Sequence, residues 1–141
     1  DEACAGVGYT LPDGSNVDAS GSYTTNLIST LGCDSIITIA LVVNALPEVS
    51  SGASESYCVD EGDIDLSPAP AGGELTGDLL EGSTLIHTEA TPGNYSVSYT
   101  LVDANGCSNT ETIDYVLATP IEPSFTFQMI CNELNLVSTQ I

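Results

Sequence analysis

The chain has 141 residues, with 20 acidic side chains and neither Lys nor Arg, so its formal charge is −20. Phosphate recognition needs Lys and Arg, so the composition speaks against a nucleic-acid or anionic-membrane partner; it also removes Schiff-base lysines, arginine clamps and P-loop lysines. The length allows one large domain or two small ones, and 42% hydrophobic residues suffice to build a core.

In chain order, Cys4 is followed by a turn signal at Pro12-Asp13-Gly14. Ile37, Ile39, Leu41 and Val43 recur with period two, which predicts a strand over 35–43 with one buried face. A Pro-containing linker covers 44–48. Further turns fall at Gly72-Gly73 and Pro92-Gly93. Tyr95, Val97, Tyr99 and Leu101 then alternate with Ser96, Ser98 and Thr100, a half-buried strand. Asn105-Gly106 predicts a tight hairpin, because both residues tolerate φ > 0, with Ile113, Tyr115 and Leu117 on the return strand. A second linker covers 118–123, and Phe125, Phe127 and Met129 predict a last strand. No window has a helical period, and no apolar run approaches the roughly 20 residues of a membrane span. Short strands with regular turns predict an antiparallel β-sandwich.

The punctuation repeats. Gly21-Ser22-Tyr23, Gly32-Cys33 and Pro47 match Gly93-Asn94-Tyr95, Gly106-Cys107 and Pro120 in order. Pro47 precedes Cys58 by 11 positions, as Pro120 precedes Cys131. The chain therefore divides into the back of one unit (1–46), a whole unit (47–119) and the front of a third (120–141). Residues 1–46 and 120–141 are complementary fragments, which suggests either that the tail of one copy completes the head of the next or that the chain is a window of a longer array in which the same contact falls within one polypeptide. Phe125, Phe127, Met129, Leu134 and Leu136 are the candidate assembly strand.

Five cysteines without a CxxC pair read as disulfides in an oxidising, extracellular compartment. The export signal this calls for has been removed or lies outside the sequence. Equivalent placement suggests Cys4–Cys33 and Cys58–Cys107, each joining an early strand to the strand after the Gly-Cys turn, worth about 3.5 and about 4 kcal/mol. Cys131 is left over: its partner is in another chain, it lies beyond this window, or the thiol is free.

The run Cys4-x-Gly6-x-x-Tyr9-x-Leu11-Pro12-Asp13-Gly14, with Ser20-Gly21-x-Tyr23 and Gly32-Cys33-Asp34-Ser35-Ile36, resembles a repeat of very large secreted surface proteins of Bacteroidetes. Cys58, Leu66, Pro70-Ala71-Gly72-Gly73, Gly77, Pro92-Gly93-x-Tyr95 and Asn105-Gly106-Cys107-Ser108 resemble a sister repeat. The resemblance implies tandem immunoglobulin-like domains in long adhesins exported across the outer membrane, and it implies no enzymatic residues. The first unit departs from the pattern, lacking the strand normally found before Cys4.

Three sharper readings stand beside bland ones. Asp60, Glu61, Asp63, Asp65, Asp103 and Asn105 are candidate calcium ligands, because hard cations gather several oxygens; the plain alternative is solvated acidic turns. Ser35, in Asp34-Ser35-Ile36, resembles the O-glycosylation site of the same bacteria; otherwise it starts a strand. His87, alone among the ligating types, reads as a strand surface residue rather than a metal ligand. The expectation is an all-β, disulfide-stapled, tandem immunoglobulin-like protein. It serves as the shaft of a secreted filament or fibrous adhesin, with no catalysis, no required cofactor and no membrane insertion. Its partners are copies of itself, with surface glycans as a further candidate. The alternative is a glycan- or calcium-binding module of a larger secreted protein.

Overall fold

The computed structural model describes residues 1–28, 30, 32, 34–121, 125–130 and 133–138. Its regular elements are all strands, in mainly antiparallel sheets with a disulfide.

Residues 1–46 form β1 (Glu2–Cys4), β2 (Tyr9–Thr10), β3 (Asn16–Val17), β4 (Gly21–Ile28) and β5 (Asp34–Asn44). β4 and β5 pair antiparallel along their length, and β1 adds parallel to the far half of β5. Pro12-Asp13-Gly14 turns the β2–β3 hairpin, where Leu11 N–H donates to Ser15 O at 2.8 Å. The period-two pattern acts as expected: Leu41 is buried and Ile37, Ile39 and Val43 are half-buried, while Ile36 and Val42 of the opposite face are exposed.

The next unit contains β6 (Ser56–Cys58), β7 (Ile64–Asp65), β8 (Glu74–Gly77), β9 (Leu80–Glu81), β10 (Thr84–Leu85), β11 (Gly93–Val102) and β12 (Ser108–Ala118). One sheet has the order β6-β12-β11-β8 and the other β7-β10-β9. Side chains from both sheets meet in one cluster: Tyr57, Leu66, Leu85, Val97, Tyr115 and Leu117. Burying each such side chain is worth about 1.5–3 kcal/mol, so this cluster is the main stabilising feature of the unit. On the outer face, Ser98–Thr112 and Thr100–Thr110 hydroxyl pairs (2.8 and 2.7 Å) bridge β11 and β12.

The β11–β12 turn differs from the tight hairpin expected. It spans five residues, 103–107, and Gly106 (φ +82°) takes the left-handed conformation while Asn105 does not. Asp103 organises it, its carboxylate accepting from the N–H groups of Asn105 and Cys107 at 2.9 and 2.8 Å.

Phe125–Ile130 (β13) and Glu133–Ser138 (β14) form an antiparallel hairpin, with Phe127 opposite Leu136 and Met129 opposite Leu134. The segment expected as a single donated strand is thus a two-stranded element. Cys33 and Cys131 lie outside the described residues.

Candidate functional site

The two units share one construction. In the first, Val42 N–H donates to Asp1 O, Ala5 N–H to Asn44 O and Val7 N–H to Cys4 O, at 3.0, 2.8 and 3.2 Å. In the second, Val116 donates to Glu55, Val59 to Ala118 and Glu61 to Cys58, at 3.0, 3.0 and 3.1 Å. The offsets are constant: 54 positions on the front strands (Cys4 to Cys58) and 74 on the return strands (Asn44 to Ala118). Cys4 and Cys58 are therefore the same structural position. The Gly-x-Tyr motifs also match. Tyr23 OH donates to Ala19 O and Tyr95 OH to Thr91 O, each four residues back and at 2.7 Å. β11 is two residues longer than β4; two is the strand period, so every side chain keeps its face. The main difference lies earlier. Cys4 to Tyr23 is 19 positions, against 37 from Cys58 to Tyr95. The extra stretch includes β8, which pairs with β11, whereas β4 has no described strand on its outer edge.

The cysteines overturn the expected pairing. Cys4 is bonded to Cys107, with Cα atoms 5.5 Å apart, and Cys58 is free and exposed. The reason is strand length. Cys58 lies beside Ala118 at the exit end of β12, while Cys107 immediately precedes Ser108 at its hairpin end. Ten residue steps at about 3.4 Å separate those ends by about 34 Å, whereas a disulfide needs Cα atoms within about 7 Å. Cys4, beside Asn44, is equally remote from Asp34, the residue that follows Cys33. Within the second unit the expected pair cannot close. Between units a bond does close: the exit end of β5 meets the hairpin end of β12.

The segment between the units is fastened at the same place. Asn109 Nδ2 donates to Pro47 O at 2.8 Å. Ser50 and Ala69 exchange backbone bonds of 2.7 and 2.9 Å. Ser51 is fully buried and donates its N–H (2.6 Å) and hydroxyl (2.9 Å) to Glu111 Oε2. Glu111 sits at an inward-facing position of β12, where an acidic residue otherwise interrupts an apolar face. Its place opposite Tyr99 in that alternation was the one sequence signal for this contact.

The candidate calcium ligands serve separate local bonds. Asp63 Oδ1 accepts from Thr88 N–H, Thr88 Oγ1 and His87 N–H at 3.1, 3.0 and 2.9 Å; these bonds, Thr88's first, hold its carboxyl below the ordinary range. Asp65 accepts from the Thr84 hydroxyl at 2.6 Å, and Glu61 from Cys58 N–H at 3.1 Å. Asp103 shapes the hairpin turn, with Asn105 inside it, and Asp60 is exposed on the turn after β6. Among the described residues no group of three or more His, Cys, Asp or Glu is arranged to hold a metal ion. Ser35 is exposed near the start of β5.

His87 is not a surface residue, as its isolation suggested. It is fully buried, 5.1 Å from the Tyr57 ring and 6.2 Å from Tyr115, and neither ring nitrogen has a partner. Burial, then the Asp78 carboxylate and the neighbouring Tyr95 and Tyr57, push the Tyr115 phenol up to about 12. No family model, curated protein or solved structure matches the chain.

Proposed function

We propose that this chain is a shaft segment of a secreted extracellular filament or fibrous cell-surface adhesin, built from immunoglobulin-like units stacked head to tail and devoid of catalytic function. The observation that carries the reading is the Cys4–Cys107 bond, which ties the exit end of one unit to the hairpin end of the next. A bond placed there resists separation of consecutive units, which is what a load-transmitting array requires. The docking of 47–51 limits bending at the same joint. The sheets β7-β10-β9 and β6-β12-β11-β8 support the immunoglobulin-like assignment, as do the tyrosines that bond back to the chain at the start of β4 and β11. The edge of β4, on which no described strand lies, offers a place where the 120–141 segment of a neighbouring copy adds strands, since exposed edges recruit pairing.

Electron microscopy of the purified chain tests the proposal. Fibres with a regular axial repeat are expected, and truncation of 121–141 should remove them while leaving the 47–119 unit folded. Globular monomers at all concentrations would refute the assembly.

A further inference from the structure

We propose that a groove of the second unit, between the link from β8 to β9 and the turn after β10, seats a lysine side chain of a basic protein partner. The inference goes beyond the array reading and does not depend on it.

The groove holds about 390 Å³, at the small end of the roughly 300–1,000 Å³ of ligand sites. Leu79, Leu80 and Ile86 give it an apolar lining, and Glu81, Thr88 and Glu89 a polar one. Ile86 N–H donates to Leu79 O at 2.6 Å, which ties its two walls together.

The backbone singles out the same place. Among the described residues ten glycines have positive φ, and only two other residues do: Leu79 (+56°) and Glu89 (+67°), both lining this groove. Glu89 is the third residue of a turn closed by Ala90 N–H donating to His87 O at 3.0 Å, where glycine or asparagine ordinarily stands. A side chain with a β-carbon is strained there, and strain of this kind gathers at binding sites. The sequence uses glycine at every other such position, so these two side chains are kept for what they touch.

The chemistry of the lining sets the occupant. The nearby acids are taken up internally: Asp63 by Thr88 and His87, Asp65 by Thr84 and Asp78 by Ser96. Glu81 and Glu89 are instead exposed at the groove. An apolar floor beside two carboxylates suits a cation on a methylene stem, which is how lysine lies along a surface. The carboxylates come from β9 and from the turn after β10, a spread that fits a compact ammonium with three donors better than a planar guanidinium, which pairs with a single carboxylate. The chain has neither Lys nor Arg, so neither its own side chains nor those of a second copy can fill the groove. The occupant is therefore a different protein, and a charge of −20 draws a basic surface toward it.

The test uses the full chain and a fluorescent glycine–lysine–glycine peptide with blocked ends, followed by anisotropy at about 0.15 M salt, where diffuse attraction is screened. Water-soluble carbodiimide then couples bound lysine to the carboxylate beside it. Because the chain has no Lys, every lysine amide found by mass spectrometry identifies one contact. Saturable binding is expected, with amides concentrated on Glu81 and Glu89, and Glu81→Gln or Glu89→Gln should each weaken it about three- to fivefold. A peptide with norleucine in place of lysine keeps the stem without the ammonium and should not bind. Glu89→Gly should weaken binding as Glu89→Gln does while leaving the melting temperature unchanged or higher, an outcome that a purely structural role for Glu89 would not give. Unchanged binding by the double Gln variant, amides scattered over the surface carboxylates, or equal binding of the norleucine peptide would overturn the inference. Binding of a free alkyl diamine but not of the lysine peptide would also overturn it, by making the ligand a small amine rather than a protein.

Discussion

Glu111→Ala is the substitution that most directly probes how the inter-unit segment is fastened. Glu111 Oε2 receives both donors of Ser51, a residue with no exposed surface. Truncation leaves a backbone N–H and a hydroxyl buried without an acceptor. Each orphaned group costs about 1–3 kcal/mol, so the loss should be about 2–6 kcal/mol. Glu111→Gln keeps a carbonyl oxygen that can accept both bonds and gives up only the charge assistance, about 1 kcal/mol. Removing one of 20 carboxylates also relieves repulsion in a chain of charge −20, which opposes the loss. The comparison therefore belongs at about 0.15 M salt, where the screening length is about 8 Å. Urea unfolding followed by tyrosine fluorescence and circular dichroism, with Ser51→Ala and the double variant closing the cycle, isolates the pair. If Glu111→Ala lies within about 0.5 kcal/mol of the parent while Ser51→Ala does the same, water reaches Ser51 and the docking argument fails.

Replacing both Cys4 and Cys107 by Ser opens a loop of 103 residues, and should lower stability by up to about 4–5 kcal/mol in guanidinium melts without unfolding the 47–119 core; an unchanged midpoint would refute the bond. His87→Phe removes two unpartnered ring nitrogens from an aromatic cluster, so it should be neutral or stabilising by about 1 kcal/mol in urea, and a large loss would reveal a hidden partner. The Tyr115 phenol is raised to about 12 in the folded chain, while the unfolded phenol ionises near 10. The unfolded state therefore sheds the proton first, and stability present below about pH 10 should fall between about pH 10 and pH 12; Tyr115→Phe should flatten that part of the profile. Sodium chloride should raise the melting temperature by screening the carboxylates, and a flat salt series would show them too dispersed to matter.

Much of this protein is local and therefore readable in the sequence. The period-two alternation of Tyr95–Leu101 and Ile37–Val43 decides which face is buried, because side chains on a strand point alternately to its two sides. The turn at Asp13-Gly14 follows from glycine's freedom at positive φ (+86°) and a carboxylate that reaches Ser15. The repeat was legible because Gly-x-Tyr and Gly-Cys each answer a local demand, a tyrosine bonding back four residues and a hairpin entering its return strand. The five-residue length of the 103–107 turn was less so, since Asp103 sets it by accepting from Asn105 and, across Gly106, from Cys107.

The cysteine partners were different in kind. Position along the chain suggested a bond within each unit, but Cys58 and Cys107 stand at opposite ends of an eleven-residue strand, and Cys4 is bonded to Cys107. Which ends of which units meet is a matter of stacking, and no short stretch of sequence encodes it. The same holds for Glu111, whose acidic side chain at an inward position finds its purpose only when Ser51 arrives from 60 residues away. It holds also for His87, which lies past the end of β10 and whose burial is decided by Tyr57 of β6 and Tyr115 of β12 closing over it. The sequence by itself determined the long strands β5, β11 and β12 and their buried faces, because these depend on backbone sterics and on hydrophobic period. Only the tertiary structure decided how the units join, because that depends on which distant surfaces come into contact.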